Sequence, residues 1–299
     1  ISRGQAAVTQ QRIAERDLAR LVDRHRTAIQ EGRDNVVVND RLFELLLAPV
    51  MKAASADSVV VLVPDGQLQQ LPFATLRNPA TRRYFIEERS LMMTPSASFF
   101  LDAQRVPRPA SSFTSALLVG NPAASGAREL PGAEAEVGAA ALLYARHEVL
   151  TGTRATKTRF LDAAPGFAVV HFGGHALVNP EFPLLSRLVF ADEGGVEQSL
   201  FAHELSRLRF PNTRVVVLAA CSTAAGTVSR GEGVVSITRP FLGAGVPTVI
   251  ASQWDVDDRA TEQLTMAFHH ELVRSGNPVA ALRAAQLHML RSGDAAQAL

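Results

Sequence analysis

The chain has 299 residues, of which 47% are hydrophobic and 20% are charged, and its formal net charge is +1. This length buries a sizeable core as one large or two smaller domains, and the composition is typical of a soluble globular protein. No block of lysine or arginine could follow a phosphate backbone and no apolar run is long enough for a bilayer, so we expect neither a nucleic-acid nor a membrane partner. The single cysteine, Cys221, excludes an internal disulfide framework and favours a reducing, cytoplasmic location.

Residues 1–56 are predicted to form a helical lead-in. Leu18, Leu21 and Val22 recur at helical spacing, and a second apolar run is interrupted by Pro49, which should kink or restart the helix. No repeat period closes within this segment, although it could be the end of a helical repeat region. Because the chain begins with Ile1 instead of methionine, we expect it to be a piece of something longer or trimmed.

Residues 57–299 are predicted to form one α/β domain with a mostly parallel central sheet covered on both sides. Apolar, β-branched runs alternate with helical patterns, which is the signature of such a sheet. The predicted strands are "SVVVLV", "SALLVGNP", "HEVLTG", "FAVVHFGG", "TRVVVLAA" and a final central strand, "VPTVIASQWD". The predicted helices are 133–145, 156–164, 234–242, 259–274 and one capped by Asn277. A hairpin is expected to turn at residues 193–195, and residues 105–112 read as a linker or exposed loop.

The carboxyl ends of three predicted strands carry the residues with chemical potential. In a parallel sheet the working crevice lies beyond these ends. A thiol with a pKa of about 8.5 is a weak nucleophile at neutral pH unless an imidazole takes its proton. His175 is the best candidate for that imidazole, since both it and Cys221 follow strands that could be neighbours. Gly173 and Gly174, before the histidine, would allow a positive φ or a close approach to a ligand. The alternative is that the cysteine fills space as a small hydrophobe.

Other polar residues are expected to have structural roles. His171 lies on a strand and not on a helix as in zinc-binding H-E-x-x-H, so we expect a hydrogen-bonded core imidazole and no metal site. His269 and His270 are expected on the surface of a helix. The "GEGVVS" stretch lacks the third glycine of a dinucleotide fingerprint and no G-x-S-x-G occurs, so neither a nucleotide cofactor nor a serine nucleophile is predicted.

Several motifs in the same order resemble the CHAT family, caspase-related peptidases often attached to tetratricopeptide arrays. The resemblance covers roughly residues 40–299 and rests on "VVHFGGHALVNPEFPLLSRLVF", "VVVLAACSTAAG", "GEGVVSITRPFLGAGVPTVIASQWDVDD" and "VAALRAAQLHML". Within the same clan, "SQWDVDDRATE" is similar to the corresponding segment of separase. The resemblance implies a caspase-like three-layer α/β/α sandwich and a cysteine endopeptidase with His175 as general base and Cys221 as nucleophile. It implies no cofactor, a protein or peptide substrate, and a fused or separate helical-repeat sensor as partner.

The resemblance also implies an oxyanion hole and a substrate pocket. The hole would use the backbone N–H of Cys221 and an N–H beside the histidine, from Gly174 or Ala176. The pocket residues would be Gln253, Trp254, Asp255 and Glu232. The carboxylates of Asp255 and Glu232 would favour cleavage after Arg over Lys, although Arg230 keeps a caspase-like preference for Asp open.

One departure from the family pattern keeps other functions open. The family usually has Thr-His-Gly where this chain has Gly174, His175 and Ala176. If the position after the histidine requires a φ that only glycine adopts easily, Ala176 would disturb the geometry of the oxyanion hole. An inactive caspase-like scaffold or regulatory interaction module is therefore the alternative. A flavodoxin-like ligand domain is a third interpretation, which would predict a phosphate or flavin site.

Overall fold

A computed structural model of the chain describes residues 8–53, 55, 58–105, 113–179, 181–220, 233–253 and 258–292. The chain divides into two compact units, with the division between Asp102 and Ala103. The domain boundary drawn from the sequence at residue 57 stays a prediction. None of the helices in the described ranges combines the length and the apolar character needed to cross a bilayer.

The first unit packs helices and short 3₁₀ turns around two parallel strands. Its helices and strands are α1 (Glu15–Gln30), α2 (Val36–Leu42), α3 (Ala48–Ala53), β1 (Val59–Leu62), α4 (Phe85–Glu88) and β2 (Ser90–Met93), and the division falls within the next helix, α5 (Ala97–Arg105). A π-helical turn, Phe43–Leu47, precedes α3, and Pro49 is the second residue of that helix. The helix therefore restarts next to the proline, as the sequence predicted, because proline is tolerated in a first helical turn.

A buried polar contact joins α1 to a 3₁₀ turn within the apolar core of the first unit. The Thr75 hydroxyl donates to the carbonyl of Pro72 at 2.7 Å and accepts from His25 Nε2 at 2.8 Å. Burial lowers the pKa of His25 to about 4, against the opposing effect of Asp34, so the ring is neutral at physiological pH. The surrounding core contains Val22, Val38, Leu42, Phe43, Leu47, Leu71, Phe73, Leu76 and Phe85.

The second unit is built on a five-stranded sheet in which every neighbouring pair is parallel. Its strands are β3 (Ser115–Pro122), β4 (Arg146–Gly152), β5 (Val169–Gly173), β9 (Val215–Leu218) and β10 (Thr248–Ala251), in the order β10-β9-β5-β3-β4. The prediction that the last strand is central was wrong for the part of the chain that the structure describes. There β10 stands at one end of the order, and all four of its residues are partly exposed.

Helices cover both faces of this sheet. They are α6 (Pro131–Ala141), α7 (Lys157–Ala163), α8 (Ala202–Leu205), α9 (Gly233–Gly243), α10 (Asp258–Ser275) and α11 (Pro278–Ser292). Because strand side chains alternate, Val170 and Phe172 of β5 join a cluster with Phe160 and Phe241 on one face. Val169 joins a second cluster, formed with α6, α10 and α11, on the other. The predicted α/β fold with a mostly parallel sheet is confirmed.

A small antiparallel sheet follows β5 in the chain. It consists of β6 (Ala176–Leu177), β7 (Arg187–Glu193) and β8 (Val196–Phe201), paired in that order. Gly194 and Gly195, with φ of +63° and +80°, form the turn between β7 and β8. Two consecutive positive φ values match the right-handed twist of a two-residue hairpin, which explains why glycine pairs signal such turns. The predicted hairpin is therefore confirmed.

Candidate active site

Strands β5 and β9 are direct neighbours, and their register sets where the candidate residues leave the sheet. Val169 pairs with Val215, and Phe172 pairs with Leu218. The two strands were predicted to end at one rim of a parallel sheet, and the pairing of β5 with β9 satisfies that condition. His175 follows three residues after Phe172 and is described, whereas Cys221 lies outside the described residues.

The His175 ring is buried, with 6% of the residue exposed, and one of its nitrogens has a main-chain partner. Nε2 donates a hydrogen bond to the carbonyl oxygen of Arg128 at 2.6 Å. In the neutral ring, a hydrogen on Nε2 makes Nδ1 the basic nitrogen. The carbonyl of His175 itself accepts from the N–H of Val189 at 2.9 Å, which ties the residue to β7. Backbone and ring are thus both oriented by hydrogen bonds.

The loop that carries the Arg128 carbonyl is shaped by Asn121. This asparagine has a φ of +49°, a left-handed conformation that asparagine tolerates better than most residues. Its Oδ1 accepts from the N–H of Leu130 at 2.8 Å, and its Nδ2 donates to Glu134 at 3.3 Å. Sequence reasoning did not identify Arg128, because a backbone carbonyl has no residue signature.

The two glycines before the histidine have a different role from the one predicted. Neither Gly173 nor Gly174 has a φ in the left-handed region. A Cβ on Gly174 would lie 2.9 Å from the ring of Phe172 and 3.1 Å from Pro122. A Cβ on Gly173 would lie 3.3 Å from Nε2 of His171. The glycines therefore allow close packing against protein atoms, whereas a ligand or a positive φ had been expected.

Ala176 stands where the family usually has glycine, and its backbone is that of an ordinary strand residue. It belongs to β6, pairs with Leu188, and is 7% exposed. It is not among the residues with positive φ. An alanine methyl group costs nothing in such a conformation, so the Gly-to-Ala change strains no backbone at this position.

The predicted substrate pocket is mostly outside the described residues. Glu232, Trp254 and Asp255 fall there, together with Arg230. Gln253 is described: it is partly buried and lies two residues after the end of β10. Since β10 pairs with β9, Gln253 follows the strand next to the one that leads to Cys221.

A buried polar cluster lies on the α6, α10 and α11 side of the sheet. The Tyr144 hydroxyl is 2.6 Å from His269 Nδ1, and His269 Nε2 is 3.0 Å from His171 Nδ1. Nε2 of His171 is 3.4 Å from a Glu136 carboxylate oxygen and has no hydrogen-bond partner within the described ranges. The Thr265 hydroxyl contacts the same carboxylate oxygen. We call this set of five residues the buried relay: Glu136, Tyr144, His171, Thr265 and His269.

The buried relay confirms one expectation for the histidines and corrects another. His171 is a hydrogen-bonded core imidazole, as predicted. The prediction of a surface position holds for His270 but was wrong for His269, which is fully buried. Thr265, His269 and Leu272 follow helical spacing on the buried face of α10, and that periodicity was the signal available in the sequence.

Burial dominates the electrostatics of the buried relay. It lowers the pKa of His171 to about 4, and it lowers the pKa of His269 well below its ordinary value, with a smaller effect of the neighbouring His171 in the same direction. Burial raises the pKa of Glu136 to about 7, although the Thr265 hydrogen bond acts in the opposite direction, and it also raises the pKa of Tyr144. No group of three or more His, Cys, Asp or Glu side chains in the described ranges is arranged to hold a metal ion.

Comparisons with solved structures show a protease fold. The crystal structure of the Arg-specific cysteine proteinase gingipain R matches with a TM-score of 0.55 and 11% sequence identity, covering 95% of this chain and 73% of that one. A complex of the Porphyromonas gingivalis gingipain pro- and mature domains matches with a TM-score of 0.52 and 12% identity, covering 96% and 74%. The chain therefore has the fold of these caspase-like cysteine proteases.

Curated relatives are longer proteins. Tetratricopeptide repeat protein 28 of Mus musculus is 28% identical over 285 residues, and that of Homo sapiens is 27% identical over 294 residues. These alignments cover 78% and 81% of this chain but only 12% of each relative. The sequence profile of the CHAT domain matches residues 38–297. The chain belongs to the CHAT domain family.

Proposed function

We propose that the chain is a cysteine endopeptidase in which Cys221 is the nucleophile and His175 is the general base. The thiol proton passes to Nδ1, and the thiolate attacks the substrate carbonyl, forming a carbon–sulfur bond. The tetrahedral intermediate collapses as the carbon–nitrogen bond breaks and the imidazolium protonates the leaving amine. Water, deprotonated by the same ring, then hydrolyses the thioester and restores the thiol.

The pairing of β5 with β9 is the observation that carries this proposal. Phe172 and Leu218 are opposite one another in neighbouring parallel strands, which are about 4.8 Å apart. His175 and Cys221 each come three residues later in the chain. Equal offsets from one paired position favour a meeting of the two side chains at the same rim.

The orientation of the histidine supports its role as a base. A catalytic base needs a third group that holds its ring, and the Arg128 carbonyl is suited to this because it accepts from Nε2. The basic Nδ1 would then be the atom that receives the thiol proton. Deleting a general base of this kind typically lowers kcat about 100- to 10,000-fold.

The oxyanion hole that we propose uses the backbone N–H of Cys221 with that of Gly174 or Ala176. The ordinary strand conformation of Ala176 supports this, since the side chain that replaces the family's glycine leaves the backbone unstrained. Removing one oxyanion donor costs about 100- to 1,000-fold in rate.

We further propose cleavage after Arg, and less efficiently after Lys, with Asp255 and Glu232 as the pairing carboxylates and Gln253 and Trp254 beside them. Bidentate pairing with guanidinium favours Arg over Lys. The Arg specificity of gingipain R, which has the same fold, is an analogy at the level of fold that supports this preference. Fluorogenic peptides ending in Arg, Lys or Asp test it, and turnover of the Asp peptide alone would contradict it.

Labelling with an electrophilic Arg-peptide probe tests the catalytic proposal. Since Cys221 is the only cysteine, one equivalent of label is expected on the unmodified chain and none on Cys221→Ala. His175→Gln should label at least 100-fold more slowly. His270→Gln, an exposed histidine of α10, is the matched control and should label at the rate of the unmodified chain.

The same variants distinguish a peptidase from an inactive scaffold. A scaffold would leave the thiol unlabelled, and the cellular effect of the protein would be unchanged in Cys221→Ala. A peptidase would lose cleavage in that variant while retaining binding of the uncleaved substrate. A helical-repeat partner, fused or separate, remains part of the proposal and is supported by the names of the curated relatives.

A further inference from the structure

We propose that His171 and His269 are positioning residues for His175, because through them α10 fixes β5 against α6 and thereby sets the histidine ring against the Arg128 carbonyl. The catalytic consequence rests on the proposed peptidase function. The geometric consequence, a loosened His175 ring when the buried relay is broken, does not depend on it.

Two separate elements determine the ring position of His175. The residue itself follows the end of β5 after Gly174, whereas Arg128 lies three residues before the start of α6. The 2.6 Å hydrogen bond between Nε2 and the Arg128 carbonyl therefore spans these elements. It keeps its length only if the end of β5 and the start of α6 keep their separation.

The buried relay joins the same two elements through a third. His171 belongs to β5 and Glu136 belongs to α6. From α10, His269 bonds to the first and Thr265 bonds to the second. Each of these side chains is at least nine-tenths buried, so water does not replace a lost partner. Leaving a buried polar group unpaired costs about 1–3 kcal/mol, and this cost restricts the three elements to one arrangement.

Movement of the His171 ring would be transmitted to the turn that carries His175. Nε2 of His171 lies 3.3 Å from the position of a Cβ on Gly173, so the imidazole packs directly beneath that glycine. Above it, Gly174 is confined by Phe172 and Pro122. The turn is held between the buried relay on one face of the sheet and, on the other, the apolar cluster that contains Phe160, Phe172 and Phe241.

Helix α6 is equally constrained on its other side. A Cβ on Gly120 of β3 would lie 2.5 Å from Val137 and 2.6 Å from the carbonyl oxygen of Ala133. The helix backbone therefore rests directly on β3 near its first turns. Contact with β3 and the hydrogen bond between Thr265 and Glu136 together fix the position of α6, and with it the position of the loop that contains Arg128.

Hydrogen bonds link the members of the buried relay in two groups. The Tyr144 hydroxyl, the His269 ring and the His171 ring form one chain of hydrogen bonds, through His269 Nδ1 on one side and His269 Nε2 on the other. The Thr265 hydroxyl donates to Glu136 Oε1, and the carbonyl oxygen of Thr261 lies 2.8 Å from the same hydroxyl. Burial raises the pKa of Glu136 to about 7, and the hydrogen bond from Thr265 acts in the opposite direction. Glu262, on α10, is the other charged group that acts on this carboxyl.

The test compares His269→Phe with His25→Phe. Both substitutions replace a buried imidazole with an apolar ring, but His25 bonds to Thr75 in the first unit and has no part in the site. Solvent exchange of the His175 Nε2–H is followed by NMR on histidine-labelled protein, with His175→Gln to assign the signal. Turnover of the Arg peptide gives kcat and KM.

In His269→Phe, the Nε2–H of His175 should exchange at least tenfold faster, and kcat should fall about tenfold with KM within twofold. In His25→Phe, all three should stay within twofold of the unmodified protein. If His269→Phe is unfolded by circular dichroism, Thr265→Val is measured in its place, with an expected threefold acceleration of exchange. Unchanged exchange in the folded variant would overturn the proposal. Absence of turnover in the unmodified chain would refute only the peptidase function, since the exchange comparison still decides the positioning.

Discussion

Replacing Gly174 with alanine adds one methyl group next to the candidate base, and the surroundings of that methyl group determine what must move. Its carbon would lie 2.9 Å from two ring atoms of Phe172, about 0.5 Å inside ordinary contact. The Phe172 ring is itself packed against Phe190, with centroids 5.2 Å apart, so it cannot retreat. Pro122 blocks the other side at 3.1 Å. The main chain at residues 174–175 is therefore the part that yields.

This displacement has a cost in stability and a larger one in rate. Overpacking of a close-packed core by one methyl group costs about 1–3 kcal/mol, which for a unit of this size lowers Tm by about 2–12 °C. A shift of about half an ångström in His175 disturbs its bond to the Arg128 carbonyl. Because misplacement of a catalytic group by about 1 Å can cost about 100-fold, we expect a roughly tenfold loss of kcat.

Gly138→Ala is the matched control for this experiment. Gly138 is exposed in the interior of α6, and a Cβ there would meet nothing within 4 Å. That substitution should raise stability by about 0.5–1 kcal/mol and leave kcat unchanged, since alanine is the better helix former. Thermal melts and Arg-peptide turnover measure both variants. A Gly174→Ala protein with unaltered Tm and kcat would refute the packing argument.

Three further predictions follow from the same contacts. Folding lowers the pKa of His25 from 6.5 to about 4, so the neutral ring stabilises the folded state by about 3 kcal/mol above pH 6.5, and this stability should be lost as the pH falls toward 4. Hydrogen exchange of α1 should show the loss in the unmodified chain but not in His25→Gln. Folding raises the pKa of Glu136 from 4.5 to about 7, so its contribution to stability, again about 3 kcal/mol, is present below pH 4.5 and lost as the pH rises through 7. The free energy of unfolding measured with urea should show this decline in the unmodified chain and not in Glu136→Gln. Asn121→Ala loses the hydrogen bond to Leu130 and strains a φ of +49°, so its free energy of unfolding should fall by about 1–3 kcal/mol, which thermal melts detect as a lower Tm. Asn121→Gly should lose less, because glycine adopts that φ without strain.

Local sequence patterns were sufficient to predict the parallel strands, the hairpin and the start of the last helix. Runs such as "SALLVGNP" and "FAVVHFGG" are apolar on both faces, and buried parallel strands have that pattern because helices cover both sides. The glycine pair at 194–195 predicted the hairpin because each glycine adopts a positive φ. Asn277 predicted the start of α11, where its side chain accepts from the N–H groups of Val279 and Ala280.

Features that depend on tertiary neighbours could not be predicted from local sequence patterns. The composition of β10 is that of a buried strand, but its place at the end of the described order depends on which strands pair. Gly174 is needed because of Phe172 and Pro122, and no local rule announces those contacts. His171 and His269 are 98 residues apart and meet only because a helix crosses the sheet at that point.

The exchange of glycine for alanine after the histidine shows how sequence and structure divide the functional question. From motifs alone the change counts against catalysis, because a missing glycine suggests a lost backbone conformation. In the folded chain the residue pairs with Leu188 in a strand, where alanine is as suitable as glycine. What constrains the candidate base lies elsewhere, in the Arg128 carbonyl and in the buried relay, and they include Arg128, Thr265 and His269, which lie outside the motifs that carry the family resemblance. Loss of activity in a related chain should therefore be sought first at the buried relay and at the loop before α6, and only then at the residue after the histidine.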